Sequence, residues 1–240
     1  MKKILILFVM AFAVNTYAQE TTLLRLKYQK GDMYETVIKQ SVASPQMMMD
    51  MTMTSEVKIT DSNAKNFSSE TKFSKIVMDM MQGEMAFSYD SSKSDDELDE
   101  VGMMLKGQMG PILESVIYSK GDVFGNVLEA KAEPSFQGSE NVGESNIVYP
   151  ENAVKVGDTF TMEKENNGMK LNFTFEVTSM TSKLVGLSIK GSVAGAGGDI
   201  KGTMSVDRAT GVTLNSDITT KIDQGGQEVT TVVKVTTTKK

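Results

Sequence analysis

Five methionines occupy the seven positions from Met47 to Met53, and twelve of the chain's nineteen fall between Met47 and Met109. On a strand, the spacing of Met49, Met51 and Met53 sets three thioethers on one side, and soft thioethers select Cu(I). Neutral thioethers are weak ligands, however, and the chain has no histidine to join them. Methionine is also unbranched and polarizable, so a wall of it moulds to varied apolar ligands. The commonest fate of apolar residues at this spacing is plainer still, an irregular core filled by adaptable side chains. The stretch is therefore read as core-facing strand first, as a cavity wall second, and as a metal site last.

Other groups that invite chemistry fare no better. Asp95, Asp96, Glu97, Asp99 and Glu100 form an acidic run, but without the alternating layout of a calcium loop. Gly195-Ala-Gly-Gly198 resembles a phosphate cradle, yet no helix follows it, so a hairpin loop is expected. Zero His and zero Cys remove the usual zinc ligands, the cysteine nucleophile and the histidine general base. No G-x-S-x-G signature is present. Ser–Lys and paired-carboxylate chemistry stay open in principle, but a non-enzymatic protein without metal or cofactor is the expectation.

The elements that carry these residues are mostly strands. Met49, Met51, Met53, Val57 and Ile59 alternate with Asp50, Thr52, Thr54, Glu56 and Lys58. Met169, Leu171, Phe173, Phe175 and Val177 alternate with Lys170, Asn172, Thr174, Glu176 and Thr178, and Val212, Leu214, Ile218 and Ile222 repeat the pattern. Such alternation marks antiparallel strands with one face buried and one wet. Turn formers separate them, at Ser44-Pro45, Asp61-Ser-Asn63, Asp207 to Gly211 and Gly225-Gly226. Ten to twelve strands are expected. Strands as long as Met47–Thr60 must curl, which favours a curled sheet or half-barrel.

One segment changes period. Ser94-Asp-Asp-Glu97 has capping-box spacing, and Leu98, Val101, Met104 and Leu105 follow at helical intervals. A helix is predicted over 95–109. After a break at Gly110-Pro111, Ile112, Leu113, Val116 and Ile117 predict a second short helix or extended piece over 111–118. An apolar helix in a β chain needs a sheet face to lie on. The candidate cavity residues are therefore Met49, Met51 and Met53 from the strand, with Met104, Leu105, Ile112 and Val116 from the helical segment.

The start of the chain reads as an address. Lys2 and Lys3 precede an apolar run from Ile4 to Val14, and Thr16-Tyr17-Ala18 ends in a small residue, the pattern of a secretory signal peptide over 1–18. Its apolar run is shorter than the roughly 20 residues a membrane helix needs. Export to the periplasm or beyond is expected, with Gln19 as the new N-terminus. Without residues 1–18 the chain carries 23 basic and 31 acidic residues, a net charge of −8. No basic patch survives to bind nucleic acid. With no cysteine, packing alone must hold the exported fold.

The chain also echoes itself. Lys30-Gly31-Asp32-Met33-Tyr34 resembles Val156-Gly157-Asp158-Thr159-Phe160, and Glu56-Val57 resembles Glu176-Val177. Two β halves, over 19–131 and 151–240 with a connector at 132–150, would give this echo. So would coincidence among β-rich segments. In either case one continuous structural unit is expected.

The order of motifs carries a resemblance. Gly31-Asp32-Met33-Tyr34 opens a β-meander and a helix. Ser119-Lys-Gly-Asp-Val-Phe-Gly-Asn-Val127, Tyr149-Pro-Glu-Asn-Ala-Val-Lys-Val-Gly-Asp158 and Val206-Asp-Arg-Ala-Thr-Gly211 follow. This resembles a family of uncharacterised exported bacterial β-rich proteins, a domain of unknown function, over most of the chain. In architecture alone it is similar to the LolA/LppX-type half-barrels, which carry lipids or lipoproteins in a hydrophobic groove. The resemblance implies no catalytic residues. Two functional expectations follow: a hydrophobic, lipid-like ligand held in a Met-rich cavity between sheet and helix, or a structural or protein-interaction module. The second would use exposed Thr-rich strands such as Glu228 to Thr238, with Lys239 and Lys240 guarding an edge.

Overall fold

The computed structural model describes residues 20–139, 147–166, 169–195 and 197–240. The expected signal peptide and cleavage point lie outside the described residues. Among the described residues twelve strands form one antiparallel sheet: β1 (Met33–Ser44), β2 (Met47–Ser62), β3 (Asn66–Gln82), β4 (Met85–Asp90), β5 (Val116–Asp122), β6 (Val127–Glu133), β7 (Thr159–Asn166), β8 (Met169–Met180), β9 (Leu184–Val193), β10 (Gly198–Asp207), β11 (Thr213–Gln224) and β12 (Gln227–Lys239). Their order is β6-β5-β3-β2-β1-β12-β11-β10-β9-β8-β7, and β4 pairs with the far end of β3. The sheet stays open, with β6 and β7 at its two ends.

The first and last strands meet in the middle. Tyr34 pairs with Lys239 and Ala43 with Thr230, so β12 is bonded on both sides, to β1 and β11. This corrects the expectation of an exposed C-terminal strand: Glu228 to Thr238 has no free edge to offer. Following the register from Met51 through Gln40 and Val233 to Ile218 shows that one face carries most of the large apolar residues, while Met48 and Met81 stand exposed on the other. The other carries Thr52, Thr54, Thr219, Lys201, Lys221 and Lys234, with surface ion pairs such as Lys234–Asp217 at 3.1 Å.

Two glycines show where the sheet bends on its apolar face. A Cβ on Gly191 would stand 2.4 Å from the Asn172 carbonyl oxygen, and one on Gly202 would stand 2.4 Å from that of Asp217. Backbone approaches this close admit only glycine and mark tight coiling of the sheet.

The helical segment differs from the prediction in three ways. Asp95–Glu97 is a single 3-10 turn in which the Glu97 carboxylate accepts the Ser94 N–H at 3.0 Å. The main helix, α1, spans Glu100–Glu114 and is capped by Asp99, whose side chain accepts the Gly102 N–H at 2.7 Å. It runs through Gly110 and Pro111 without a break. An internal proline costs about 3 kcal/mol, but Pro111 lies near the last turn, where Ile112 and Leu113 still pack on the sheet. Finally, the chain is already strand at Val116.

The sequence echo has a local counterpart. The Gly31 N–H donates to the Ile59 carbonyl and the Ile59 N–H to that of Asp32; Gly157, Val177 and Asp158 repeat the arrangement, with all four distances at 2.8–2.9 Å. The partner of Val177 in this geometry is Ile59 rather than Val57, two residues along the same face.

Asp32 also ties this turn to the C-terminus. Its carboxylate accepts from the Gln29 N–H at 3.0 Å and the Tyr34 hydroxyl at 3.2 Å, and pairs with Lys239 at 2.6 Å. Burial pushes its pKa up, but these donors and the Lys239 charge outweigh that and hold it below the ordinary carboxylate value. A carboxyl with a depressed folded pKa stabilises the fold above its unfolded value of about 3.9, and the contribution is lost as pH falls through the folded value. Urea midpoints should therefore drop on going from about pH 6 to about pH 3, and Asp32→Asn should flatten part of that drop. An unchanged slope in Asp32→Asn would show that Asp32 plays no such part.

Candidate functional site: an apolar strip between two covered regions

The methionine strand lies under the helix. Met49 pairs with Met80 and Met51 with Met78 across β2 and β3, while Tyr89 of β4 pairs with Met78. Ile76, Met78, Tyr89 and Leu105 form the buried centre. Met49, Met51, Met53, Leu98, Val101, Met109, Ile112 and Leu113 pack around it. The structure thus brings Met49, Met51, Met53, Leu105 and Ile112 together. Burial in this cluster raises the Tyr89 hydroxyl pKa.

Two candidates fall elsewhere. Met104 is 55% exposed beside Leu105 at 5%, because α1 turns its neighbouring position to solvent; Met109 takes the inward place. Val116 pairs with Lys72, which pairs with Glu56 on the wet face, whereas Ile117, paired with Thr71, is buried on the apolar one. The helical spacing that united 112, 113, 116 and 117 does not survive the switch to strand. The acidic run is spent locally: Asp95 pairs with Lys106, Glu97 holds Ser94 and Asp99 caps α1. Among the described residues, no three His, Cys, Asp or Glu side chains gather as a metal site.

The other half of the apolar face is covered by the chain itself. Leu24, Tyr149 and Val154 pack onto Phe175, Val177, Val185, Leu187, Ile189 and Val206. Thr22 and Val154 pair backbone to backbone, and the Arg25 guanidinium donates to the carbonyls of Leu24, Pro150 and Glu151 at 2.6–2.7 Å. Arg25 also sits 4.0 Å over the Phe124 ring. The Tyr149 hydroxyl donates to the Gly211 carbonyl at 2.7 Å, and its burial pushes the phenol pKa up. Below the strip, Tyr34, Ile59, Phe67 and Val212 close the end of the sheet, with Leu26, Tyr28 and Val57 against them.

Between these regions runs a strip that none of the three buried clusters includes. Ile38 and Val42 on β1, Val233 and Val235 on β12, and Ile222 on β11 are half-buried and face the same way as Met51. α1 lies over β3 and β4, to one side. Ile218 marks the other side, packed against the Val177–Val206 cluster. From Val229 to Val235 the strip is about 20 Å long at 3.4 Å per residue, and three strands make it about 10 Å wide. Its inward residues carry no charge until Lys239, which Asp32 holds. A wall of this kind removes apolar surface from water without doing chemistry. Sequence reading missed β1 as part of it, and only the long-range pairing of β1 with β12 assembles it.

No family model matches the chain, and no curated protein does. Among solved structures, it is similar to lipovitellin, in a study of lipid–protein interactions in that protein, with a TM-score of 0.55 and 9% identity. The likeness covers 88% of this chain and 25% of the lipovitellin chain, so this chain spans a quarter of that length. At such identity it is a likeness of fold.

Proposed function

We propose that this chain is an exported, non-enzymatic binding protein that holds a hydrophobic, lipid-like molecule along the strip between α1 and the Val177–Val206 cluster. The observation that carries the reading is the strip itself: apolar, uncharged, half-open, and flanked by two regions of the same face that the protein covers with its own chain. Each square ångström of apolar ligand surface taken from water there contributes about 25 cal/mol. The lipovitellin likeness supports the reading because the study of that structure concerns lipid–protein interactions. The secretory pattern at residues 2–18 supports export.

Titration with a fluorescent fatty-acyl probe tests it. Saturable binding of about one probe per chain, competed by unlabelled lipid, is expected for a groove of this size. A linear, non-saturating signal would contradict a defined site.

A further inference from the structure

We propose that Gln40 is the polar anchor of the strip and selects a long apolar molecule bearing a neutral hydrogen-bonding group, such as an ester or amide carbonyl or a hydroxyl. The inference rests on the reading of the strip as a ligand groove. Gln40 lies on β1 directly between Met51 of β2 and Val233 of β12. Its same-face neighbours along the strand are Ile38 and Val42, and its diagonal neighbours are Met49, Met53, Thr231 and Val235. One amide thus stands in the middle of a patch that is otherwise hydrocarbon, thioether and a single hydroxyl.

That amide is half-buried, and its side chain has no hydrogen-bond partner among the described residues. Gln offers two N–H donors and two acceptor lone pairs. Water serves them while the groove is open. A plain alkyl chain laid across it expels that water and leaves the amide unpaired, which is costly. A ligand carbonyl or hydroxyl at the same place restores the bond. A single polar group in an apolar wall converts affinity into selectivity this way.

The missing charges narrow the class further. No inward side chain from Val229 to Thr237, or on the facing positions of β1 and β11, carries a charge that would compensate a carboxylate or phosphate. An anionic head must stay outside, whereas an ester or alcohol can enter. The slot, about 20 Å long, suits one extended chain.

The test is competition against a fluorescent acyl probe by dodecyl acetate and by tetradecane, using wild-type protein and the near-isosteric Gln40→Met. Wild type should prefer the ester by roughly tenfold. Gln40→Met should lose the preference by weakening ester binding alone, with its melting temperature kept. Equal weakening of both ligands, or a wild type without preference, would overturn the anchor while leaving the groove in place. Failure of wild type to bind the probe at all would instead remove the groove, and the anchor with it.

Discussion

Leu105→Asp should lower the melting temperature by roughly 8–16 °C, whereas Met104→Asp, one residue away, should move it by under about 2 °C. Leu105 is at the centre of the contact between α1 and the sheet, against Ile76, Met78 and Tyr89. Aspartate there forfeits the burial of a leucine, worth about 2–3 kcal/mol, and places a carboxylate among buried apolar side chains. Together these cost about 4 kcal/mol, and each kcal/mol is worth about 2–4 °C in a domain this size. Met104 points to solvent, so the same substitution there changes little. Thermal melts followed by circular dichroism decide it, and equal shifts would show that the helix is docked by another face.

The second large effect belongs to the strip. Val233→Lys should weaken binding of the acyl probe by more than about tenfold, or about 1.4 kcal/mol, while leaving the fold intact. Val233 lies between Gln40 of β1 and Ile218 of β11. The lysine stem is long enough to lift its ammonium into water when the groove is empty. A bound chain would have to bury or displace that charge. The control is Thr219→Lys, on the opposite face in β11, which should bind as wild type does. Equal loss in both variants would mean that binding is not confined to the apolar face.

Much of this arrangement was legible beforehand because one face of the sheet is wet. Period two over Met49, Met51 and Met53 revealed the buried side of β2, and the Gly- and Asn-containing breaks located the hairpins. Legibility failed where local pattern and tertiary pairing disagree. Gly110 and Pro111 look like a helix end, yet packing of Ile112 and Leu113 carries α1 past them. Val116 and Ile117 fit a helical stripe, yet on β5 they face opposite ways. The Thr- and Val-rich terminal strand looked like an edge because nothing in its own residues announces Tyr34 and Ala43 as partners some two hundred residues earlier. That same pairing hid Gln40. A lone glutamine on a strand attracts no notice until Met51 and Val233 are set on either side of it.

Native mass spectrometry of the protein purified from cell-envelope material decides whether the strip holds a hydrophobic molecule. The expected result is a population heavier than the polypeptide by one lipid-sized mass. That mass should be released on unfolding and be depleted in Val233→Lys. A single apo mass in wild type, unchanged after incubation with envelope lipid extract, would contradict the account.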